Sequence, residues 1–202
     1  MFTGLVQGTA TIDRLSLSAD ACELTIAFPE FDTPAEFGES IAIDGCCLTV
    51  TAIHANALSF QAGRETLAKT TLGRYRPGTL INFERSLRMG DRLGGHLVTG
   101  HIDRVIVVLE RVEHGEWVDF RFELPPTFAS QVAAKGSVAI NGVSLTVVEA
   151  ASESFTVALI PHTLQATNLG KLISGCAVNF ESDLLAKYVQ RSLAFLPQSV
   201  TQ

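Results

Sequence analysis

The chain repeats itself, and that repeat constrains its fold more than any other feature. Ser40-Ile-Ala-Ile-Asp-Gly-Cys-Cys-Leu-Thr-Val50 aligns with Ser137-Val-Ala-Ile-Asn-Gly-Val-Ser-Leu-Thr-Val147, seven of eleven residues identical at an offset of 97. Glu65-Thr-Leu-Ala-Lys-Thr-Thr-Leu-Gly aligns with His162-Thr-Leu-Gln-Ala-Thr-Asn-Leu-Gly at the same offset. The offset holds through Gly78 and Gly175, and through Asn82-Phe83-Glu84 and Asn179-Phe180-Glu181. Thr3-Gly4 matches Thr99-Gly100 at an offset of 96. Three blocks in one order at one spacing mark a gene duplication. Length alone leaves 202 residues as one large domain or two small ones, and the repeat divides them into two homologous halves.

Each half reads as β structure. Short runs rich in Val, Ile, Thr and Phe alternate with Gly, Asp, Asn and Pro. The first half offers 22–28, 41–43, 48–53, 57–60 and 80–84; the second offers 102–112, 117–123, 138–140, 145–150 and 155–160. Many short strands at regular spacing predict a small antiparallel barrel in each half. Glu65–Leu72 and its partner His162–Leu169 read as short helices or turns, and Arg85–Leu97, with three glycines, as the linker. The tail differs. Apolar residues at 184, 185, 188, 189, 193 and 196 have helical spacing; Ser182 or Asp183 caps this helix and Pro197 stops it. The first half has no counterpart, so the apolar stripe packs either on its own barrel or on other copies of the chain.

Composition mainly excludes. Fifteen Lys and Arg against 21 Asp and Glu give a net charge of −6, the wrong sign for a nucleic-acid partner. Hydrophobic residues reach 47% and charged residues only 18%, which excludes disorder. The longest aliphatic run, Val105–Leu109, is far below the ~20 residues of a membrane span, and Met1-Phe2-Thr3-Gly4 does not open a signal peptide. Cys22, Cys46, Cys47 and Cys176 have no CxxC spacing, so reduced thiols in the cytoplasm are expected and a zinc site is not.

Strand parity proposes a site. Side chains alternate faces along 43–50, so Leu48 and Val50 share one face while Cys47 and Thr49 share the other. In the second copy Ser144 and Thr146 stand opposite Leu145 and Val147. A single strand Thr on a solvated face is ordinary, but a small polar pair kept in both copies beside a Gly turn suggests a repeated ligand contact. Where the copies differ, chemistry appears: Leu5 aligns with His101, Cys47 with Ser144, and Ser86 with Asp183. Histidine is the usual general acid or base near neutral pH, and an activated thiol or hydroxyl adds to electrophilic carbon. His96 and His101 lack a third ligand at a telling spacing, so no metal is expected.

Four motifs carry a resemblance over nearly the whole chain: Met1-Phe-Thr-Gly-Leu-Val6, Asn/Asp-Gly-x-x-Leu-Thr-Val in both halves, Gly94-Gly-His-Leu-Val-Thr-Gly-His101 and Leu159-Ile-Pro-His-Thr-Leu164. Together they resemble the riboflavin synthase family, alpha chain. The resemblance implies an all-β fold of tandem duplicated six-stranded Greek-key barrels with a C-terminal helix. It implies an N-terminal lumazine-binding barrel over 1–97, a C-terminal one over 98–183, and a trimerisation helix and tail over 184–202. It further implies dismutation of two 6,7-dimethyl-8-ribityllumazine molecules to riboflavin and 5-amino-6-(ribitylamino)uracil. It implies sites between subunits of a homotrimer, without cofactor or metal, and leaves association with lumazine synthase open.

The family's proposed catalytic groups fall on Ser40, Cys47, His101, Ser144, Thr146 and Asp183. His101 is expected to shuttle protons, with Cys47 or a water as transient nucleophile. Substrate-binding positions fall on Gly4, Leu5 and Val6; on Cys47, Leu48 and Thr49; and on Gln61, Ala62, Gly63, Arg64, Glu65 and Thr66. They continue through Gly100, His101 and Ile102, through Lys135, and through Ser144, Leu145 and Thr146. The last are Ala158, Leu159, Ile160, Pro161, His162 and Thr163. Gln61-Ala62-Gly63-Arg64 departs from a more usual apolar and acidic segment. Two rivals share the barrel. Lumazine-binding antenna proteins bind without catalysis and tend to lose the histidines of the 94–101 block, present here as His96 and His101. Flavin-binding reductase barrels need a nucleotide-binding half, and no Gly-x-Gly-x-x-Gly follows a strand here.

Overall fold

A computed structural model describes residues 1–18, 20–29 and 33–195. It contains two closed antiparallel barrels. The first is built from β1 (Gly8–Leu17), β2 (Ala21–Ala27), β3 (Ser40–Ile43), β4 (Cys46–Ile53), β5 (Ala57–Gly63) and β6 (Leu80–Arg85). Around the barrel they run β1-β2-β5-β4-β3-β6, and β6 closes on β1. The second uses β7 (Arg104–His114), β8 (Trp117–Glu123), β9 (Ser137–Ile140), β10 (Val143–Ala150), β11 (Ser154–Leu159) and β12 (Ala177–Ser182) in the same relative order. Pairing β2 with β5 rather than with β3 makes the connection a Greek key, and full closure leaves no open sheet edge. The sequence pattern does not single out β1 or β12, although their counterparts β7 and β6 are plain. Polar residues interrupt β1, and β12 spends three of its six positions on Asn, Glu and Ser.

Alternation explains the cores. Inward side chains Ile12, Leu24, Ile26, Ile41, Ile43, Leu48, Phe60 and Phe83 fill the first barrel. Ile106, Phe120, Phe122, Val138, Ile140, Phe155 and Phe180 fill the second, where Phe122 stacks on Phe155 with centroids 5.5 Å apart. The two β3–β4 and β9–β10 hairpins turn on Asp44-Gly45 and Asn141-Gly142. All four residues have positive φ (43°, 79°, 45° and 78°), the type I′ geometry that Asp-Gly and Asn-Gly favour. α1 (Arg64–Lys69) and α2 (Pro161–Ala166) occupy the predicted repeat segments, each followed by a short 3-10 turn.

The barrels meet at these hairpins. A Cβ on Gly45 would lie 2.6 Å from the Gly142 nitrogen, and one on Gly142 2.7 Å from the Gly45 nitrogen. Only glycine allows that approach. Around it the hydrogen bonds are reciprocal. Asn82 Nδ2 donates to the Asn141 carbonyl and Asn179 Nδ2 to the Asp44 carbonyl, both at 2.9 Å. The Thr71 amide donates to Asn179 Oδ1 at 2.8 Å, and the Asn168 amide to Asn82 Oδ1 at 2.7 Å. The repeated Asn-Phe-Glu triplet thus supplies an interface amide and a core ring in each half. The symmetry breaks at Asp44, whose carboxylate accepts from Tyr75, the Asn82 amide and Asn168, while its partner position is Asn141. Burial raises the Asp44 carboxyl to about 6, against hydrogen bonds from Tyr75, Asn82 and Asn168 that lower it.

The tail forms α3 (Leu184–Leu193), capped by Asp183 Oδ1, which accepts from the Leu185 amide at 2.9 Å. It is tied to its own barrel by polar contacts: Lys187 to Asp103 at 2.8 Å and Gln190 to Gln131 and Ser130. Leu184 is half-buried, but the rest of the helix's apolar stripe stays out. Leu185, Tyr188, Val189, Leu193 and Phe195 are all more than half exposed. Leu196 and the Pro197 stop lie outside the described residues. No helix among the described residues is long and apolar enough to cross a membrane.

Candidate functional site

Strand register assembles the polar residues into one outer row per barrel. On the first barrel Cys47 pairs with Ala42 and Ala42 with Glu84, while Thr49 pairs with Ser40. On the second, Ser144 pairs with Ala139 and Ala139 with Glu181, while Thr146 pairs with Ser137. Two matched faces result. Ser40 and Ser86 are joined by the Ser86 amide donating to the Ser40 carbonyl at 3.2 Å. Cys47 is partly exposed and Thr49 exposed. Neighbouring Cys46 points inward, and burial, with Cys47, Glu181 and Asp44 adding, pushes its thiol up to about 12, which excludes it as a nucleophile.

The walls of the two faces cross between the barrels. Residues 1–6 precede β1 yet lie against the second barrel. The Ser144 amide donates to the Gly4 carbonyl at 2.8 Å, and Val6 packs against the second core. Residues 99–102 precede β7 yet lie against the first barrel. The Cys47 amide donates to the Gly100 carbonyl at 2.9 Å, and Ile102 packs against the first core. A Cβ at Gly4 would sit 2.6 Å from Ser144 Cβ, and one at Gly100 2.6 Å from Cys47 Cβ, so both segments lie flat on the opposite strand. The segments also pair with each other, Phe2 and Val98 exchanging two backbone hydrogen bonds at 2.8 and 3.1 Å.

Each segment is held by one buried carboxylate. Glu84 Oε1 accepts from the amide and hydroxyl of Thr3, both at 2.7 Å, and Oε2 from the Gly4 amide at 3.0 Å. Glu181 makes the same three bonds to Thr99 and Gly100 at 2.7, 2.7 and 3.0 Å. Burial raises both carboxyls above the ordinary value; the hydrogen bonds oppose it.

The structure therefore divides the expected site residues between two faces. The first gathers Ser40, Cys47, Thr49, Gly100, His101 and Ile102, with Gln61–Gly63 at the end of β5 and Arg64–Thr66 at the start of α1. The second gathers Gly4, Leu5, Val6, Ser144 and Thr146, with 158–160 and 161–163 in the equivalent positions and Lys135 just before β9, where the first barrel has Gly38. Leu48, Ala62, Leu145 and Leu159 are at most 8% exposed and turn into the cores, leaving only their backbone for a ligand. His101 is exposed, and its amide is held by Thr99 Oγ1 at 3.2 Å. Lys135 is exposed with φ of 67°. A cleft of about 1080 Å³ runs beside the first face and takes in Ser40 and Ser86, but neither Cys47 nor Thr49.

Three residues outside the expected site set help to build the faces. His96 Nδ1 lies 2.7 Å from Ser144 Oγ, while Nε2 is buried without a partner among the described residues. Burial lowers its pKa, against Asp183, which raises it. The Gly-Gly-His block carried that signal. Glu84 and Glu181 were visible only as the ends of the repeated Asn-Phe-Glu triplet. Among the described residues no group of three His, Cys, Asp or Glu side chains is placed to hold a metal ion.

The lumazine binding domain profile matches residues 3–86 and again 99–183, one copy per barrel. The riboflavin synthase of Mycobacterium tuberculosis is 40% identical over 195 residues, covering 95% of this chain and 97% of the relative. The chain belongs to the riboflavin synthase family. The Bacillus subtilis riboflavin synthase is 33% identical over 202 residues, 100% of this chain and 94% of the relative. Among solved structures, LumP complexed with riboflavin superposes with a TM-score of 0.83 at 29% identity, covering 90% of this chain and 99% of that one. LumP complexed with 6,7-dimethyl-8-(1′-D-ribityl) lumazine gives 0.81 at 27%. Each of the two matched faces lies on one copy of the lumazine binding domain.

Proposed function

We propose that the chain is a riboflavin synthase, converting two molecules of 6,7-dimethyl-8-ribityllumazine into riboflavin and 5-amino-6-(ribitylamino)uracil. The observation that carries this is the pair of matched faces, one per lumazine binding domain, in a chain 33–40% identical to riboflavin synthases over nearly its whole length. One substrate donates a four-carbon unit and the other accepts it, so a duplicated site suits a reaction between identical molecules. The lumazine's C7 methyl is acidic because its anion delocalises into the ring, and C7 itself is electrophilic. The protein then needs to hold two flat rings against each other, take a methyl proton and assist addition at C7. Fixing two reactants in register supplies up to about 7–11 kcal/mol of the barrier.

His101 moves the proton. Cys47 or a water bound beside it adds at C7 of one substrate. Ser144 and Thr146 hydrogen-bond the ring of the other, with Ser40 and Asp183 completing the polar rows. Lys135 holds ribityl oxygens. Residues 1–97 and 98–183 act as the two lumazine-binding units, and 184–202 as the assembly segment, in the cytoplasm. Each active site pairs the first face of one subunit with the second face of a neighbour in a homotrimer. The uncovered apolar stripe of α3 supports this, since burying each of those side chains stabilises by about 1.5–3 kcal/mol. Purified protein given the lumazine alone should release riboflavin and sediment as a trimer. No riboflavin would sink the activity, and an active monomer would sink the shared site.

A further inference from the structure

Glu84 stands on β6 of the first barrel, yet the Thr3-Gly4 segment it grips presents the Gly4 carbonyl to Ser144 on the second. Glu181 stands on β12 of the second barrel, yet the Thr99-Gly100 segment it grips presents the Gly100 carbonyl to Cys47 on the first. We propose that Glu84 and Glu181 are crossed positioning residues, each setting the wall of the ligand face on the other barrel. The inference rests on the reading of both faces as ligand sites, and extends it to residues that touch no ligand themselves.

The chemistry favours the carboxylate. Three donors converge on each side chain, and only a carboxylate offers acceptors on both ends. A glutamine keeps one acceptor but turns an N–H toward the Gly amide. Losing a hydrogen bond to a charged group and facing two donors together should free the segment. A hydrogen bond to a charged group contributes enough that its loss changes a local opening equilibrium roughly tenfold. Thr3 and Thr99 test the same wiring more gently, because valine keeps the shape and both amide donors to the glutamate, removing only the hydroxyl that donates to it and accepts from the Leu5 or His101 amide.

The measurement is hydrogen exchange of two backbone amides in the full-length chain, Ser144 and Cys47, followed by ¹H–¹⁵N spectroscopy without ligand. Glu84→Gln should speed exchange at Ser144 roughly tenfold and leave Cys47 unchanged; Glu181→Gln should do the reverse. Thr3→Val and Thr99→Val should follow the same directions to a smaller degree, and they decide the matter if a glutamine variant fails to fold. Riboflavin titration of the same samples should weaken binding at the crossed face only, read from the amide shifts of Thr146 and Thr49. Acceleration confined to the residue's own barrel, equal acceleration at both amides, or none at either would overturn the proposal. Crossed exchange in a protein that does not convert the lumazine would overturn the functional reading and leave the crossed wiring standing.

Discussion

The two faces share a backbone and differ in side chains. Both rest on a strand whose polar pair sits two residues apart, and both are walled by a Thr-Gly segment on a buried glutamate. The first face carries Cys47 and the exposed His101; the second carries Ser144, bonded to a buried His96, with Leu5 where the first has His101. One side is open and bears groups able to exchange protons or attack carbon. On the other, Ser144 is already engaged by His96 Nδ1, whose Nε2 is left buried without a partner among the described residues. Duplication preserved the backbone of the face and let the side chains on it diverge, which is the asymmetry that the proposed division of labour between donor and acceptor needs.

The comparison breaks most readily at His101. His101→Ala should lower lumazine turnover by about 10²–10⁴, the usual contribution of a positioned acid or base, while Leu5→Ala at the matched position changes it little. Steady-state rates with riboflavin binding measured alongside would decide it, and equal losses at both positions would erase the asymmetry. The next largest effect lies between the barrels. Gly142→Ala or Gly45→Ala forces a side chain into the facing turn at positive φ and should cost on the order of 4 kcal/mol in denaturant unfolding. A cost below about 1 kcal/mol would mean that the turns part easily.

Asp44→Asn sharpens the comparison by giving the first half the residue of the second. The Asp44 carboxyl, raised by burial from 3.8 to about 6, holds its proton more tightly folded than unfolded. Its stabilisation is full below pH ~4 and is lost as pH rises through about 6. The wild type should lose about 3 kcal/mol relative to Asp44→Asn across that window, and parallel stability curves would contradict the assignment. The smallest effect belongs to the pair Ser86 and Asp183. Asp183→Ala removes the α3 cap and should cost about 1 kcal/mol in thermal unfolding, whereas Ser86→Ala, with no helix behind it, should cost almost nothing. A cap worth nothing would show as identical melting of the two.

Much of this was legible in the residues. The offset of 97 gave the two barrels, parity on 43–50 gave Cys47 and Thr49, and Ser144 and Thr146 followed from the alignment. The motif block marked His101. The crossing of the segments was not legible, because a repeat aligns each Thr-Gly with its own half and says nothing of which barrel it lies on. His96 stood out in the motif block, but its contact with Ser144 was hidden for a related reason: the two are remote in sequence, and spacing reveals only neighbours on one element. β1 and β12 escaped because closure and pairing, rather than a clean apolar run, keep their polar residues in strands.

The crossed segments also say something about ancestry. A chain with one repeat, built on the same plan, could not cover its own binding face with its own N-terminal arm. Its arm would reach a second molecule, and that molecule's arm would return the favour. A chain on that plan would be an arm-exchanged homodimer, and joining two copies end to end would convert an exchange between molecules into an internal one. Separating the present halves therefore should not give two working modules. Each would carry the arm that covers the other's face, and its own would stay bare until a second chain, of either kind, lent it one.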